Sequence, residues 1–159
     1  MTIAPKLRQF LDRQGAVYEI VGHAPTHNSL ESAAAARIPP SCLAKAVLLD
    51  TPDDLLLAVL ASNCRVELED LRDELGERPQ LADEAELVAI FDDCEPGAIP
   101  AIGFGYGVET IVDDQLTQEP DVFFEAGDHR TLIHMEQEEF RRLTLRARHG
   151  SFGALWIDS

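Results

Sequence analysis

Two apolar runs separated by a short acidic turn constrain the fold of this chain more than any other feature of its sequence. The runs span Ala44 to Leu49 and Leu55 to Leu60, and the five residues between them are DTPDD. Short apolar runs bounded by turn residues are typical of buried strands, and a connection of this length is typical of a hairpin. The sequence therefore predicts two paired strands at the centre of a sheet.

Helices and further strands are predicted on both sides of this hairpin. Apolar residues at helical spacing predict helices at Pro5 to Leu11, Asn28 to Ala36, Leu68 to Leu75, Asp83 to Phe91 and Glu136 to Leu145. Short apolar runs predict strands at Val17 to Val21, Val108 to Val112, Val122 to Phe124 and Thr131 to Met135. This order favours an α/β (mixed α+β) fold, in which residues 1–159 form one domain with helices packed around a mixed central sheet. The apolar tail from Phe152 to Ile157 is expected to pack on this body.

Length and composition limit the location and the cofactors of the protein. Its 159 residues, 45% of them hydrophobic, suit one ordinary domain, and no stretch approaches the roughly 20 apolar residues that cross a bilayer. We therefore expect a cytoplasmic protein without membrane contact. The three cysteines and five histidines show no CxxC, HExxH or mixed cluster, so we expect reduced thiols, no metal and no cofactor.

The charge of the chain is strongly acidic. Against 29 aspartates and glutamates stand 13 lysines and arginines, and the net charge of −16 opposes long-range attraction to nucleic acid. Contact with only the end of a nucleic acid, through few phosphates, is compatible with this charge. Basic residues are concentrated late in the chain, at Arg130, Arg141, Arg142, Arg146, Arg148 and His149. They indicate either a solvated helix face or a local basic strip.

Lys45 needs an explanation because it interrupts an otherwise apolar strand. Strand alternation places its side chain on the same face as Val47 and Leu49. An unpaired buried ammonium group is costly, so Lys45 must either extend from a sheet edge or line a polar cavity, where it meets an anion or a carbonyl oxygen. The residue pattern leaves both positions open.

A loop rich in glycine and proline is the second candidate site. It runs from Glu95 to Gly103, within a segment from Cys94 to Gly107 that has neither strand nor helix pattern. Glycine allows close approach of the backbone, and proline fixes the conformation that directs neighbouring amides, which can then stabilise an oxyanion. The alternative interpretation is a connecting loop without function.

Cys94 is a candidate nucleophile with His129 as its base, and this pairing would make the protein a thiol-dependent hydrolase. Three carboxylates lie next to Cys94 in the sequence, those of Asp92, Asp93 and Glu95. Like-charge repulsion disfavours a thiolate at such a position. A small buried or half-buried thiol is therefore the favoured interpretation.

Five segments carry a family resemblance in their order along the chain. They are HAPTHNSLESAA (His23 to Ala34), AKAVLL (Ala44 to Leu49), LAVLASNCRVELEDL (Leu57 to Leu71), CEPGAIPAIG (Cys94 to Gly103) and AGDHRTLIHM (Ala126 to Met135). They resemble successive blocks of the YbaK/ProRS-insertion (ProX-type) family of trans-editing aminoacyl-tRNA deacylases. One block alone is weak evidence, but five in register over most of the chain form a specific signal.

The resemblance implies two catalytic residues. Lys45 matches the essential lysine of the family, which contacts the aminoacyl ester or the terminal phosphate of the tRNA. Gly97 matches the first glycine of a GxxxP loop, whose backbone holds the scissile carbonyl and the attacking water. Ala101 stands where this motif ends in proline. The implied chemistry is ester hydrolysis by water, with no metal or cofactor.

The resemblance also implies contacts with the substrate at Ala98, Ile99, Pro100, Ala126, Gly127 and His129. His129 matches a position where some alanine-specific members have a histidine near the substrate amino group. Ala46, next to the lysine, stands where those members carry asparagine.

The function implied by the resemblance is hydrolysis of mischarged tRNA at its acceptor end, in trans, with an aminoacyl-tRNA synthetase as a further partner. The departure at Ala101 and the acidic charge also allow a second hypothesis. In that hypothesis the chain is an inactive module of the same fold that binds aminoacyl-tRNA or a synthetase.

Overall fold

The computed structural model describes residues 2–156, so Ile157 of the predicted tail lies outside the described residues. The helices are α1 (Pro5–Arg13), α2 (Ser29–Ala36), α3 (Leu68–Leu75), α4 (Glu84–Ile90) and α5 (Gln137–Leu143). None of these helices is long and apolar enough to cross a membrane. The strands are β1 (Glu19–Gly22), β2 (Leu43–Asp50), β3 (Leu55–Ala61), β4 (Cys64–Val66), β5 (Gln80–Leu81), β6 (Glu109–Asp113), β7 (Asp121–Glu125), β8 (Thr131–Glu136), β9 (Arg148–Gly150) and β10 (Gly153–Leu155).

One mixed sheet contains eight of these strands, in the order β1-β8-β7-β2-β3-β6-β9, with β5 paired to β2 beside that path. The pairing of β2 with β3 is antiparallel and runs from Ala44 opposite Ala61 to Asp50 opposite Leu55. The predicted central hairpin is therefore confirmed. β2 also pairs with β7, and β3 with β6, in parallel. The predicted α/β (mixed α+β) fold, with helices around a mixed central sheet, is confirmed.

Apolar side chains cover both faces of this sheet. On one face, Leu7 of α1 and Phe140 of α5 pack in a cluster that includes Leu48 of β2. On the other face, Leu71 of α3 packs in a cluster that includes Leu49. Successive side chains of a strand point to opposite faces, so the even-numbered positions of β2 face the first cluster and the odd-numbered positions face the second.

Side-chain caps fix where α2 and α4 begin. The Asn28 side chain accepts a hydrogen bond from the Glu31 amide at 2.9 Å, as the predicted capping pattern requires. Asp83 accepts from the Glu86 amide at 2.8 Å in the same way. The first strand is a correction, since it begins at Glu19 and not at Val17. The Val17 amide donates to the Glu139 carboxylate at 2.6 Å, which takes it out of the sheet ladder.

Candidate active site

The central sheet is open on one side of the middle of β2. On that side β7 pairs only with Leu43 and Ala44, and β5 pairs only with Leu49 and Asp50. The stretch from Lys45 to Leu48 therefore has no neighbouring strand there. A pocket of about 560 Å³ lies along this stretch. The candidate site is thus a break within the sheet.

The break leaves main-chain groups of Ala46 directed into the pocket. The Leu43 carbonyl accepts from the Ser62 amide at 2.8 Å on the β3 side, so odd-numbered residues of β2 direct their main-chain groups toward β3. Leu48, an even-numbered residue, accepts from the Ala82 amide at 3.0 Å on the open side. By the same alternation, the N–H and C=O groups of Ala46 face the break, and neither has a hydrogen-bond partner within residues 2–156.

Lys45 lines this pocket from the face of the sheet that also carries Val47 and Leu49. Its side chain is half-buried, and burial lowers the pKa of the ammonium group below its ordinary value. It forms no ion pair with any carboxylate in the described part of the chain. The indole ring of Trp156 lies 5.5 Å from Nζ, measured to the ring centroid. The break thus creates a local sheet edge at Lys45, and this edge lines a cavity. Contact of the ammonium group with an anion or a carbonyl oxygen stays a prediction.

The Gly97 loop, which runs from Glu95 to Gly103, forms another part of the pocket wall, because Gly97 and Ile99 line the same pocket. Gly97 has a φ of +84°, and a Cβ there would lie 3.0 Å from Cε1 of His129 and 3.1 Å from the carbonyl oxygen of His27. Only glycine fits this position without strain. The Ala98 amide is bonded to the Glu95 carbonyl at 3.0 Å. The amides of Gly97 and Ile99 donate to no acceptor in the part of the chain that the structure describes.

A second layer of residues supports this loop from behind. His129 adopts a φ of +59°, and its Nε2 donates to the carbonyl oxygen of Pro96 at 2.6 Å. The carbonyl of Gly127 accepts from the Glu95 amide at 2.8 Å. The turn that contains Gly127 and His129 therefore holds the residues that immediately precede Gly97.

The structure divides the predicted site residues into two groups. The residues on the pocket wall are Lys45, Gly97 and Ile99. The residues behind the wall are Ala98, Pro100, Ala126, Gly127 and His129. Direct contact of the second group with a substrate stays a prediction. Of this group, Gly127 and His129 hold the loop through their hydrogen bonds to Glu95 and Pro96.

Three of the basic residues late in the chain make contacts away from the pocket. Among the described residues that line the pocket, none comes from the predicted basic strip. Arg141 donates to the Thr117 carbonyl at 2.7 Å, and Arg148 donates to the Glu74 carbonyl at 2.7 Å. Arg142 pairs with the Glu139 carboxylate at 2.7 Å. These contacts favour a structural role on the surface.

Glu125 is a buried acid behind the loop, and it was not predicted as a site residue. Glu125 is 1% exposed, and both of its carboxylate oxygens are buried. Burial raises its pKa, and a hydrogen bond with Ser32 and the nearby His23 and His129 oppose the rise. The one sequence feature that could have indicated this residue is a glutamate at the end of the apolar strand β7.

The Cys94 thiol has surroundings that disfavour a nucleophile. Its Sγ lies 3.4 Å from the hydroxyl of Tyr106 and 3.4 Å from a carboxylate oxygen of Asp93. Burial is the main cause that raises the pKa of Cys94 to about 12, and Asp93 adds to it. All three cysteines are free, and Cys94 is not on the pocket wall. Within residues 2–156 no group of three or more His, Cys, Asp or Glu side chains is placed to hold a metal ion.

Comparisons with known proteins give the family and the fold of the chain. The profile of the aminoacyl-tRNA editing domain matches residues 23–143. A structure described as a candidate trans-editing enzyme for prolyl tRNA synthetase matches with a TM-score of 0.83 and 19% identity, covering 95% of this chain and 96% of that chain. A candidate signal transduction protein from Marinobacter aquaeolei VT8 matches with a TM-score of 0.76 and 24% identity, covering 94% of this chain but 30% of that chain. No curated protein sequence matches the chain.

Proposed function

The chain belongs to the aminoacyl-tRNA editing domain family, and we propose that it is a deacylase that hydrolyses the ester bond of mischarged tRNA in trans. The observation that carries this proposal is the pocket in the broken sheet. An unpaired lysine and the loop residues with free amides line one cavity from its two sides. Donors fixed around one point are what an ester carbonyl needs as it becomes an oxyanion.

The proposed reaction is attack of water on the aminoacyl carbonyl, which forms a tetrahedral oxyanion. The amides of Gly97 and Ile99 donate hydrogen bonds to this oxygen, and the Lys45 ammonium group adds positive charge nearby. The C–O bond to the terminal ribose then breaks, and a proton passes from the attacking water to the leaving ribose oxygen. The neighbouring free hydroxyl of that ribose can carry this proton.

Selection among aminoacyl groups is proposed to depend on pocket size. Apolar side chains of Leu48, Leu87 and Ile99 line the cavity. An apolar wall distinguishes side chains by about 1–3 kcal/mol per methylene, so it excludes larger cognate amino acids better than it ranks smaller ones. The free carbonyl of Ala46 offers an acceptor for the substrate ammonium group.

The tRNA body is proposed to contribute little to binding. The net charge of −16 opposes phosphate contacts, and three of the late arginines, Arg141, Arg142 and Arg148, are held in surface contacts away from the pocket. Recruitment through an aminoacyl-tRNA synthetase is therefore part of the proposal. Adding the cognate synthetase should raise the deacylation rate at limiting tRNA concentration.

The test is a panel of mischarged tRNAs, beginning with alanyl and seryl esters on non-cognate tRNAs. Release of free amino acid above the spontaneous rate is the expected result for at least one member. Because Ala101 stands where the family motif has proline, an inactive binding module is the second candidate function. Binding of a non-hydrolysable aminoacyl-tRNA analogue, without turnover of any member of the panel, would establish that second function instead.

A further inference from the structure

The C-terminal tail places one aromatic ring at the mouth of the pocket. Strand β10 pairs with β4, with Ala154 opposite Arg65 and Leu155 opposite Cys64. The Trp156 amide then donates to the Asn63 carbonyl at 3.0 Å. The tail is therefore tied to the body of the protein up to the residue that carries the ring.

Trp156 is nevertheless 57% exposed and lines the pocket. Large aromatic side chains are normally buried for most of their surface, so an exposed ring held by main-chain pairing needs an explanation. The core does not supply one, because the tail is already anchored by Phe152, which is 1% exposed. The ring is thus a surface feature whose position the fold determines.

Two cations lie over this ring, and more than half of the surface of Trp156 stays exposed beside them. Nζ of Lys45 lies 5.5 Å from the ring centroid, and the guanidinium carbon of Arg65 lies 5.9 Å from it. Arg65 also pairs with Glu67 at 2.7 Å, which fixes its orientation on β4. Two cations beside an exposed aromatic face are notable in a chain with a net charge of −16.

An aromatic face with adjacent positive charge suits an unpaired nucleotide. Unpaired bases stack on tryptophan, and cationic side chains contact the adjoining phosphate. An apolar protein segment would also cover Leu81 and Leu155, which are exposed near the pocket, but it would gain nothing from the two cations. The charges therefore favour a nucleotide as the occupant.

We propose that Trp156 stacks on the 3′-terminal nucleobase of the tRNA acceptor end, with Arg65 beside the adjoining phosphate. This inference rests on the proposed function, because the esterified ribose in the pocket carries that base. Stacking supplies affinity that does not depend on net charge, so it suits an acidic protein with few phosphate contacts. Trp156 is a binding residue in this proposal and takes no part in bond breaking.

Trp156 is the single tryptophan of the chain, so its fluorescence reports directly on the ring. The protein is titrated with the RNA trinucleotide CCA, with the same trinucleotide lacking its terminal base, and with tripolyphosphate. Saturable quenching by CCA alone is the expected result. Equal quenching by the abasic trinucleotide or by tripolyphosphate would show that the contact is ionic. No quenching by any of the three would indicate that this surface binds an apolar protein segment instead. Either result overturns the proposal.

Variants test the same subsite in the reaction. Trp156→Ala is expected to raise KM for a mischarged tRNA by about ten-fold or more with kcat little changed, and Trp156→Phe to give an intermediate KM. Leu145→Ala is the matched control, because Leu145 is an exposed apolar residue away from the pocket, 81% exposed. A fall in kcat at constant KM would mean that the ring only shields Lys45, and the proposal would fail.

The two proposals can fail separately. Quenching by CCA in a preparation that deacylates no mischarged tRNA would support the nucleobase subsite and remove the hydrolytic function. Turnover of a mischarged tRNA without quenching by CCA would do the reverse. Both measurements are made on the same preparation of the full chain.

Discussion

Lys45 and Gly97 approach one pocket from opposite faces of the central sheet. Lys45 shares its face with Leu49, whereas the Gly97 loop packs through Ile99 on the face of Leu48. They meet because the middle of β2 has no neighbouring strand on one side. An intact ladder at this position would separate the ammonium group from the loop amides. The break in the sheet is therefore the feature on which the proposed chemistry depends.

Lys45→Met is expected to lower kcat/KM for deacylation by at least about 100-fold, because a fixed positive group is lost where negative charge develops. The unfolding temperature should stay the same or rise. Burial lowers the pKa of Lys45 in the folded state, so the charged form costs stability at neutral pH, and this cost declines as pH rises from the folded-state pKa to the ordinary pKa of the unfolded chain. Turnover and thermal unfolding are measured on the same preparations.

The control is Lys6→Met, which changes the other lysine of the chain, in an exposed pair with Asp92. Its deacylation rate should equal that of the wild type. If Lys45→Met kept most of the wild-type rate, the assigned site would have to be abandoned.

Gly97→Ala is expected to abolish deacylation and to destabilise the protein. An L-residue in the left-handed region costs about 1–2 kcal/mol, and the added Cβ would also collide with His129 and the His27 carbonyl. Gly76→Ala is the matched control, because Gly76 has a φ of +86° and a Cβ added there would meet no neighbouring atom within 4 Å. It should show a similar backbone cost with normal turnover. Equal loss of activity in both variants would mean that general destabilisation is the cause.

The sequence predicted the parts of the fold that have local signals. Alternation and turn residues were sufficient for the β2–β3 hairpin, and capping patterns were sufficient for the starts of α2 and α4. Strands of two or three residues, such as β5 and β10, were missed because their pairing partners are remote in the sequence. Since β5 and β7 create the break in the sheet, the shape of the pocket was not predictable from local patterns.

The candidate site was predicted in the same uneven way. Lys45 was conspicuous because it interrupts an apolar strand, and the Gly97 loop because of its composition. The place of Trp156 depends on a strand pair that joins residues 64–66 to residues 153–155, and no residue pattern near Trp156 indicates it. His129 was predicted to contact substrate, but its hydrogen bond to Pro96 and its backbone conformation become visible only in three dimensions.

Deacylation is expected to continue at the wild-type rate in Cys94→Ala and in the presence of EDTA. Burial raises the pKa of the Cys94 thiol to about 12, so hardly any thiolate exists at neutral pH. The proposed mechanism also uses water without a metal. Rates are compared after circular dichroism has shown that the variant is folded. Inactivation by EDTA, or by the loss of the thiol alone, would contradict this mechanism.

Glu125→Gln is expected to stabilise the protein at neutral pH and to have little effect near pH 4. Burial raises the pKa of Glu125 above its ordinary value of 4.5, against the opposing influence of the Ser32 hydrogen bond and of His23 and His129. The folded state therefore holds this proton more tightly than the unfolded chain does. Stability from Glu125 is then fully present below the unfolded-state pKa and is lost as pH rises through the folded-state pKa.

Thermal unfolding of wild type and variant is measured between about pH 4 and pH 8, with the exposed Glu77→Gln as control. The two curves should diverge as pH rises for Glu125→Gln and stay parallel for Glu77→Gln. A difference that is constant over the whole range would show that the Glu125 carboxylate has the same pKa in both states.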